Sequence, residues 1–149
     1  MSAELNQELN KQVAMWSVMY TKLHNFHWYV KGKQFFTLHE KFEELYNESS
    51  QYLDEIAERL LALGGKPVAT MQEQLELSDV KEAKKTENAE EMVDSVISDF
   101  ETIMQSLKRG REISGEIGDD MTQDMLNEIH QNLEKHKWML AAFLGEKVE

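Results

Sequence analysis

Apolar side chains recur every three to four residues through four long stretches of this chain, and Pro67 is its only proline. Seven glycines are the other breakers, so helices are expected almost everywhere. From about Ser2 to Val30 the apolar stripe is Val13, Trp16, Met19, Tyr20, Leu23 and Val30. At about 100° per residue, His27 falls inside that stripe and His24 at its edge. Lys31-Gly32-Lys33 supplies the cations and glycine that favour a helix C-terminus. Thr37-Leu38-His39-Glu40 reads as a capping box, which predicts a second helix starting there with His39 in its first turn. Its stripe is Phe42, Leu45, Tyr46, Leu53, Ile56, Leu60 and Leu63, and Gly64-Gly65-Lys66-Pro67 ends it.

A long connection from Val68 to Lys85 carries another capping box, Thr70-Met71-Gln72-Glu73, and so a short helix of its own. The third helix is expected from about Asn88, with Met92, Val96, Phe100, Ile103, Leu107 and Ile113 inward, until Gly115 and Gly118 break it. Asp119 or Asp120 caps a fourth, carrying Met121, Met125, Leu126, Ile129, Leu133, His136, Leu140 and Phe143 and ending near Gly145. The nine methionines read as core filler. Four long amphipathic helices with one long crossover between the second and third describe an all-α, ferritin-like four-helix bundle with a short extra helix in the crossover. A single domain spanning 1–149 is expected.

Acidic residues outnumber basic ones by 28 to 16, for a formal net charge of −12. A protein built to grip duplex DNA shows a basic face or tail. Here the first twelve residues carry Lys11 alone against Glu4 and Glu8, and Lys147 is the only base after Lys137. Strong direct DNA binding is therefore not expected, and cations are the better-matched partner. No window approaches the roughly 18 apolar residues of a membrane span, and Met1-Ser2-Ala3-Glu4 has no signal-peptide character. With no cysteine there is no disulfide framework, so a cytoplasmic address without a membrane partner is expected.

Two histidines, His27 and His39, flank the glycine-containing turn. Glu43, Asn47, Asp54 and Glu58 form a stripe on the second helix, displaced by roughly 120° from its apolar centre. Imidazole plus carboxylate, without thiolate, is the ligand set of a redox-capable or hard divalent metal. Taken singly, each residue has a plain reading. His27 is then a buried core histidine and His39 a packed residue of a first turn. Asp54 and Glu58 become a solvated face, with Glu58 pairing to Arg59. His24, His130 and His136 are read as structural or surface residues.

Ferritin-like bundles usually hold two metals in the bundle interior on Glu-x-x-His pairs, and this chain has no Glu-x-x-His. The second helix rises about 22 Å from His39 to Asp54, too far for one chain to close easily. Two chains packed antiparallel about a two-fold axis bring one chain's histidine end to the other's carboxylate end, making two equivalent sites per dimer.

His27-Trp28, the His27/His39 spacing, Asp54-x-x-x-Glu58-Arg59-Leu60-Leu61-Ala62-Leu63-Gly64-Gly65-Lys66-Pro67 and Lys137-Trp138-Met139-Leu140-Ala141-Ala142-Phe143-Leu144-Gly145 resemble the Dps family of miniferritins over nearly the whole chain. The resemblance implies a ferroxidase centre between two-fold-related subunits of a hollow dodecamer. His27 and His39 of one subunit and Asp54 and Glu58 of the other would be iron ligands. Glu43, where many members carry aspartate, would be an outer ligand. Trp28 would be the tryptophan beside the centre that takes up radical equivalents. Asp120 and Asp124 would line an iron-entrance pore, although Asp120 reads equally as an N-cap.

The implied activity is oxidation of Fe(II) to Fe(III), with hydrogen peroxide favoured over dioxygen, followed by storage of the ferric mineral and protection from oxidative damage. Iron is the expected metal, with zinc the alternative occupant of the same ligands. A nucleoid-associated DNA-binding role is the alternative function. A purely structural bundle is a third reading, and it leaves the histidine and carboxylate register unexplained.

Overall fold

The computed structural model describes residues 2–145. Its elements are α1 (Ala3–Tyr29), α2 (Phe35–Ala62), α3 (Met71–Leu77), α4 (Ala89–Glu116) and α5 (Asp120–Leu144), and no strand occurs among the described residues. Four long helices form the bundle and α3 is the extra element in the crossover, as the apolar periodicity predicts.

Local chemistry accounts for most boundaries. The Ser2 hydroxyl accepts from Leu5 N at 3.2 Å and starts α1. Gly64 at φ 85° ends α2, with Gly65 N donating to Leu60 O at 2.8 Å and Gly64 N to Leu61 O at 3.0 Å. That pair of bonds is a Schellman cap, and its left-handed residue is where a side chain would be strained. Asn88 and Glu91 form a reciprocal capping box at the start of α4, and Thr70 caps α3 through Glu73 N.

Two expectations are corrected. α2 starts at Phe35 instead of Thr37, and Gln34 at its N-cap makes no side-chain bond. The turn at Gly32 (φ 110°) closes with Phe35 N donating to Gly32 O at 3.1 Å, so the backbone itself begins the helix and Thr37 is left exposed. His39 is consequently the fifth residue of α2. Gly115 does not break α4, which runs on to Glu116; the reversal falls at Gly118 (φ 74°). Of the two caps expected for α5, Asp119 takes the role, accepting from Thr122 N at 3.1 Å.

The core runs the length of the bundle, with Trp16, Phe26, Phe42 and Phe100 among its fully buried side chains. Four residues expected inside lie out: Tyr20 is 38%, Met71 81%, Met121 74% and Met139 42% exposed. Met121 sits in the first turn of α5, too close to the helix start for its neighbours to cover it. The crossover is pinned from below by Lys22, whose ammonium donates to Lys81 O at 2.8 Å and meets Asp99 Oδ2 at 2.8 Å. No helix among the described residues is long and apolar enough to cross a membrane.

Candidate metal centre

The turn at residues 30–34 folds the end of α1 back on the start of α2 and brings His27 and His39 face to face. Their rings stack with centroids 3.7 Å apart and planes 13° off parallel. Each ring uses Nδ1 on the other residue's backbone, His27 Nδ1 to His39 O at 2.6 Å and His39 Nδ1 to His27 O at 2.7 Å. A carbonyl only accepts, so Nδ1 carries the proton on both rings and each Nε2 keeps its lone pair. Metal-ligating histidines are oriented in this way by a partner on the second nitrogen.

Aromatic packing fixes the pair. Phe35 stacks on the far side of His39 at 4.9 Å, and Tyr46 stands edge-on to His27 at 5.3 Å. His27 is buried and His39 half-buried. Glu43 lies one turn beyond His39 on α2, with Oε1 3.8 Å from His27 Nε2. The His27 imidazole and the Glu43 carboxylate thus approach one another within one chain, beside the stacked His39 ring.

Asp54 and Glu58 stand together on the exposed face of α2. A hydrogen bond with Asp54 and the repulsion of its like charge push the Glu58 carboxyl up from its usual range. A bound cation would relieve that repulsion. Because α2 is unbroken from Phe35 to Ala62, about 22 Å of helix separates this pair from His39. One chain does not bring them to the histidines.

Trp28 is 66% exposed, and its ring contacts His24 at 5.2 Å. Asp120 and Asp124 lie exposed in the first turns of α5. Arg59 does not pair with Glu58. It reaches across to α5, meeting Asp119 Oδ1 at 3.0 Å and donating to Thr122 Oγ1 at 2.9 Å. Against the upward pull of burial, the bonds from Thr122 and the Arg59 charge hold the Asp119 carboxyl below its usual range.

A second cluster escaped the sequence reading. One ligand atom from each of Glu44, Glu48 and His136 lies within 4.8 Å of the other two. The available signal was the i,i+4 spacing of Glu44 and Glu48 on α2. His136 lies 88 residues further along than Glu48, and within the α5 stripe it reads as core. Burial pulls the Glu48 carboxyl up, but hydrogen bonds from His136 and Tyr52 and the charges of His136 and Lys41 hold it below its usual range. His24 fits its structural reading, with Nδ1 2.7 Å from Tyr20 O and its ring stacked on Tyr46 at 3.7 Å. His130 is half-buried, and burial and Arg111 push its imidazole down. Lys147 lies outside the described residues.

Residues 6–147 match the ferritin-like domain. The chain is 64% identical over 145 residues to general stress protein 20U of Bacillus subtilis (strain 168), covering 97% of this chain and 100% of that protein. It is 60% identical over 146 residues to DNA protection during starvation protein 2 of Bacillus anthracis, covering 98% and 100%. Among solved structures, Dps from Staphylococcus aureus superposes with a TM-score of 0.92 at 54% identity, over 97% of this chain and 96% of that one. Dps from Listeria innocua soaked with zinc gives 0.92 at 42% identity, over 95% and 97%.

Proposed function

The chain belongs to the Dps family of ferritin-like proteins, and from that premise we propose that it is a ferroxidase. It oxidises Fe(II) to Fe(III), takes hydrogen peroxide in preference to dioxygen, and stores the ferric mineral inside a hollow dodecamer in the cytoplasm. The observation that carries this reading is the reciprocal bonding of His27 and His39, which leaves Nε2 free on both rings, with that of His27 3.8 Å from Glu43 Oε1.

His27, His39 and Glu43 hold Fe(II) from one subunit. Asp54 and Glu58 of a two-fold-related copy complete the centre, and their 22 Å offset along α2 is the reason two chains are needed. Two Fe(II) ions give up one electron each to one peroxide, which with two protons becomes two waters, so no hydroxyl radical is released. The protein's part is to position the irons and keep the ligands deprotonated. Trp28 takes up any stray radical equivalent. Asp120 and Asp124 line the iron-entrance pore, where the acidic balance of the chain draws cations inward. Zinc competes for the same ligands.

Protection of DNA, the role in the names of several relatives, then works by removing iron and peroxide. A net charge of −12 argues against coating duplex directly. Retardation of plasmid in a gel at neutral pH and about 150 mM salt would overturn that part.

The test of the centre is anaerobic loading with Fe(II) followed by a stoichiometric peroxide pulse, with oxidation followed optically. Rapid oxidation in the wild type that is lost in Asp54→Ala/Glu58→Ala supports the shared site. Equal rates in both remove it.

A further inference from the structure

Lys41 places its ammonium 3.4 Å from Glu44 Oε1 and 3.4 Å from His136 Nδ1, in the groove between α2 and α5. The groove has a volume of about 500 Å³, and Asn132 and Met139 line its far side. His136 is 9% exposed, and its Nε2 lies 2.7 Å from Glu48 Oε2. An ammonium only donates, so a neutral His136 accepts from Lys41 at Nδ1 and donates Nε2–H to Glu48. Glu48 is in turn held by the Tyr52 hydroxyl, which donates to Oε1 at 2.9 Å. The imidazole is therefore oriented by a carboxylate on one nitrogen while the lone pair of the other meets a cation. One ligand atom from each of Glu44, Glu48 and His136 lies within 4.8 Å of the other two, so an ion held by all three replaces the proton between His136 and Glu48 and displaces the ammonium beside them.

We propose that Glu44, Glu48 and His136 form a second divalent-cation site, which Lys41 occupies from within the chain. One imidazole nitrogen and two carboxylates suit borderline divalent ions such as Zn2+, Co2+, Mn2+ or Fe2+, and are a poor match for Ca2+. The site is independent of the paired-histidine centre, because Glu44 follows Glu43 by about 100° around α2 and faces α5 instead of α1. Lys41 sets its affinity. The flexible four-carbon stem of a lysine lets the ammonium swing out when a divalent ion arrives, so the ion gains the site at the cost of displacing a charge already paired there.

This arrangement makes a signed prediction. Lys41→Met keeps the stem and removes the competing charge. In a calorimetric titration with Zn2+ it tightens one class of sites by about tenfold or more relative to wild type. Glu44→Gln, an exposed position that folding tolerates, abolishes the same class. Crystals of Lys41→Met soaked in Co2+ at millimolar concentration show an anomalous peak between Glu44, Glu48 and His136. No anomalous peak there, or a Lys41→Met protein that binds Zn2+ no more tightly than wild type, overturns the proposal. The paired-histidine centre has its own peak elsewhere, so either reading can fail without the other.

Discussion

His27 and His39 exchange hydrogen bonds, each donating Nδ1–H to the other's backbone carbonyl, at 2.6 and 2.7 Å. The exchange ties the last turn of α1 to the start of α2 and sets the tautomer of both rings with backbone atoms alone. Nε2, the nitrogen proposed to hold iron, takes no part on either ring in holding the pair together. Structure and ligand function are therefore separable on each imidazole, and the first prediction follows.

Replacing His39 by Gln removes a ligand nitrogen while keeping a polar side chain at a half-buried position. Fe(II) oxidation by peroxide is expected to fall by roughly 10- to 100-fold. The helical circular dichroism signal is expected to remain, because the Phe26–Phe42 packing beneath the turn is untouched.

The raised Glu58 carboxyl links metal binding to protons. Its carboxylate form is reached only at a pH above the ordinary value of 4.5. Zn2+ binding under mildly acidic conditions is therefore expected to release protons from this pair. Calorimetry in two buffers of different ionisation enthalpy measures that release, and Glu58→Gln should remove it.

Lys22 is 5% exposed and neutralises Asp99; burial pushes the Asp99 carboxyl up and Lys22 opposes this. Lys22→Met leaves that half-buried carboxyl without its cation and is expected to cost about 1–3 kcal/mol in denaturant unfolding. It also frees Lys81 O, so amide exchange around residues 78–88 should quicken. Adding Asp99→Leu should recover part of the loss.

Glu48 is held below the ordinary glutamate value of 4.5, so the folded state binds its proton less readily than the unfolded chain. Its stabilising contribution is fully present above that value and is lost as pH falls through the lower folded one. Glu48→Gln should flatten this part of the acid limb in a plot of thermal midpoint against pH. An unchanged slope would remove Glu48 from the account of acid stability.

Most of what depends on near neighbours was legible in the sequence, the start of α2 and the passage of α4 through Gly115 excepted. The 3.6-residue apolar repeat, the Ser2, Thr70 and Asn88 caps and the glycines at 64, 118 and 145 determined the number, order and approximate ends of the helices. Helix formation is governed by contacts within about four residues. The i,i+4 pair Asp54 and Glu58 and the flanking histidines were equally visible as candidate ligands. What the tertiary structure decided are relations between residues far apart in the chain. They include which backbone carbonyl each histidine binds, that Arg59 serves Asp119 across 60 residues and not Glu58 beside it, and that His136 completes a cluster with Glu44 and Glu48. A stripe on a helix says which side is buried, but not which side chain of another helix will lie against it. That choice is made by the packing of α1, α2 and α5 together.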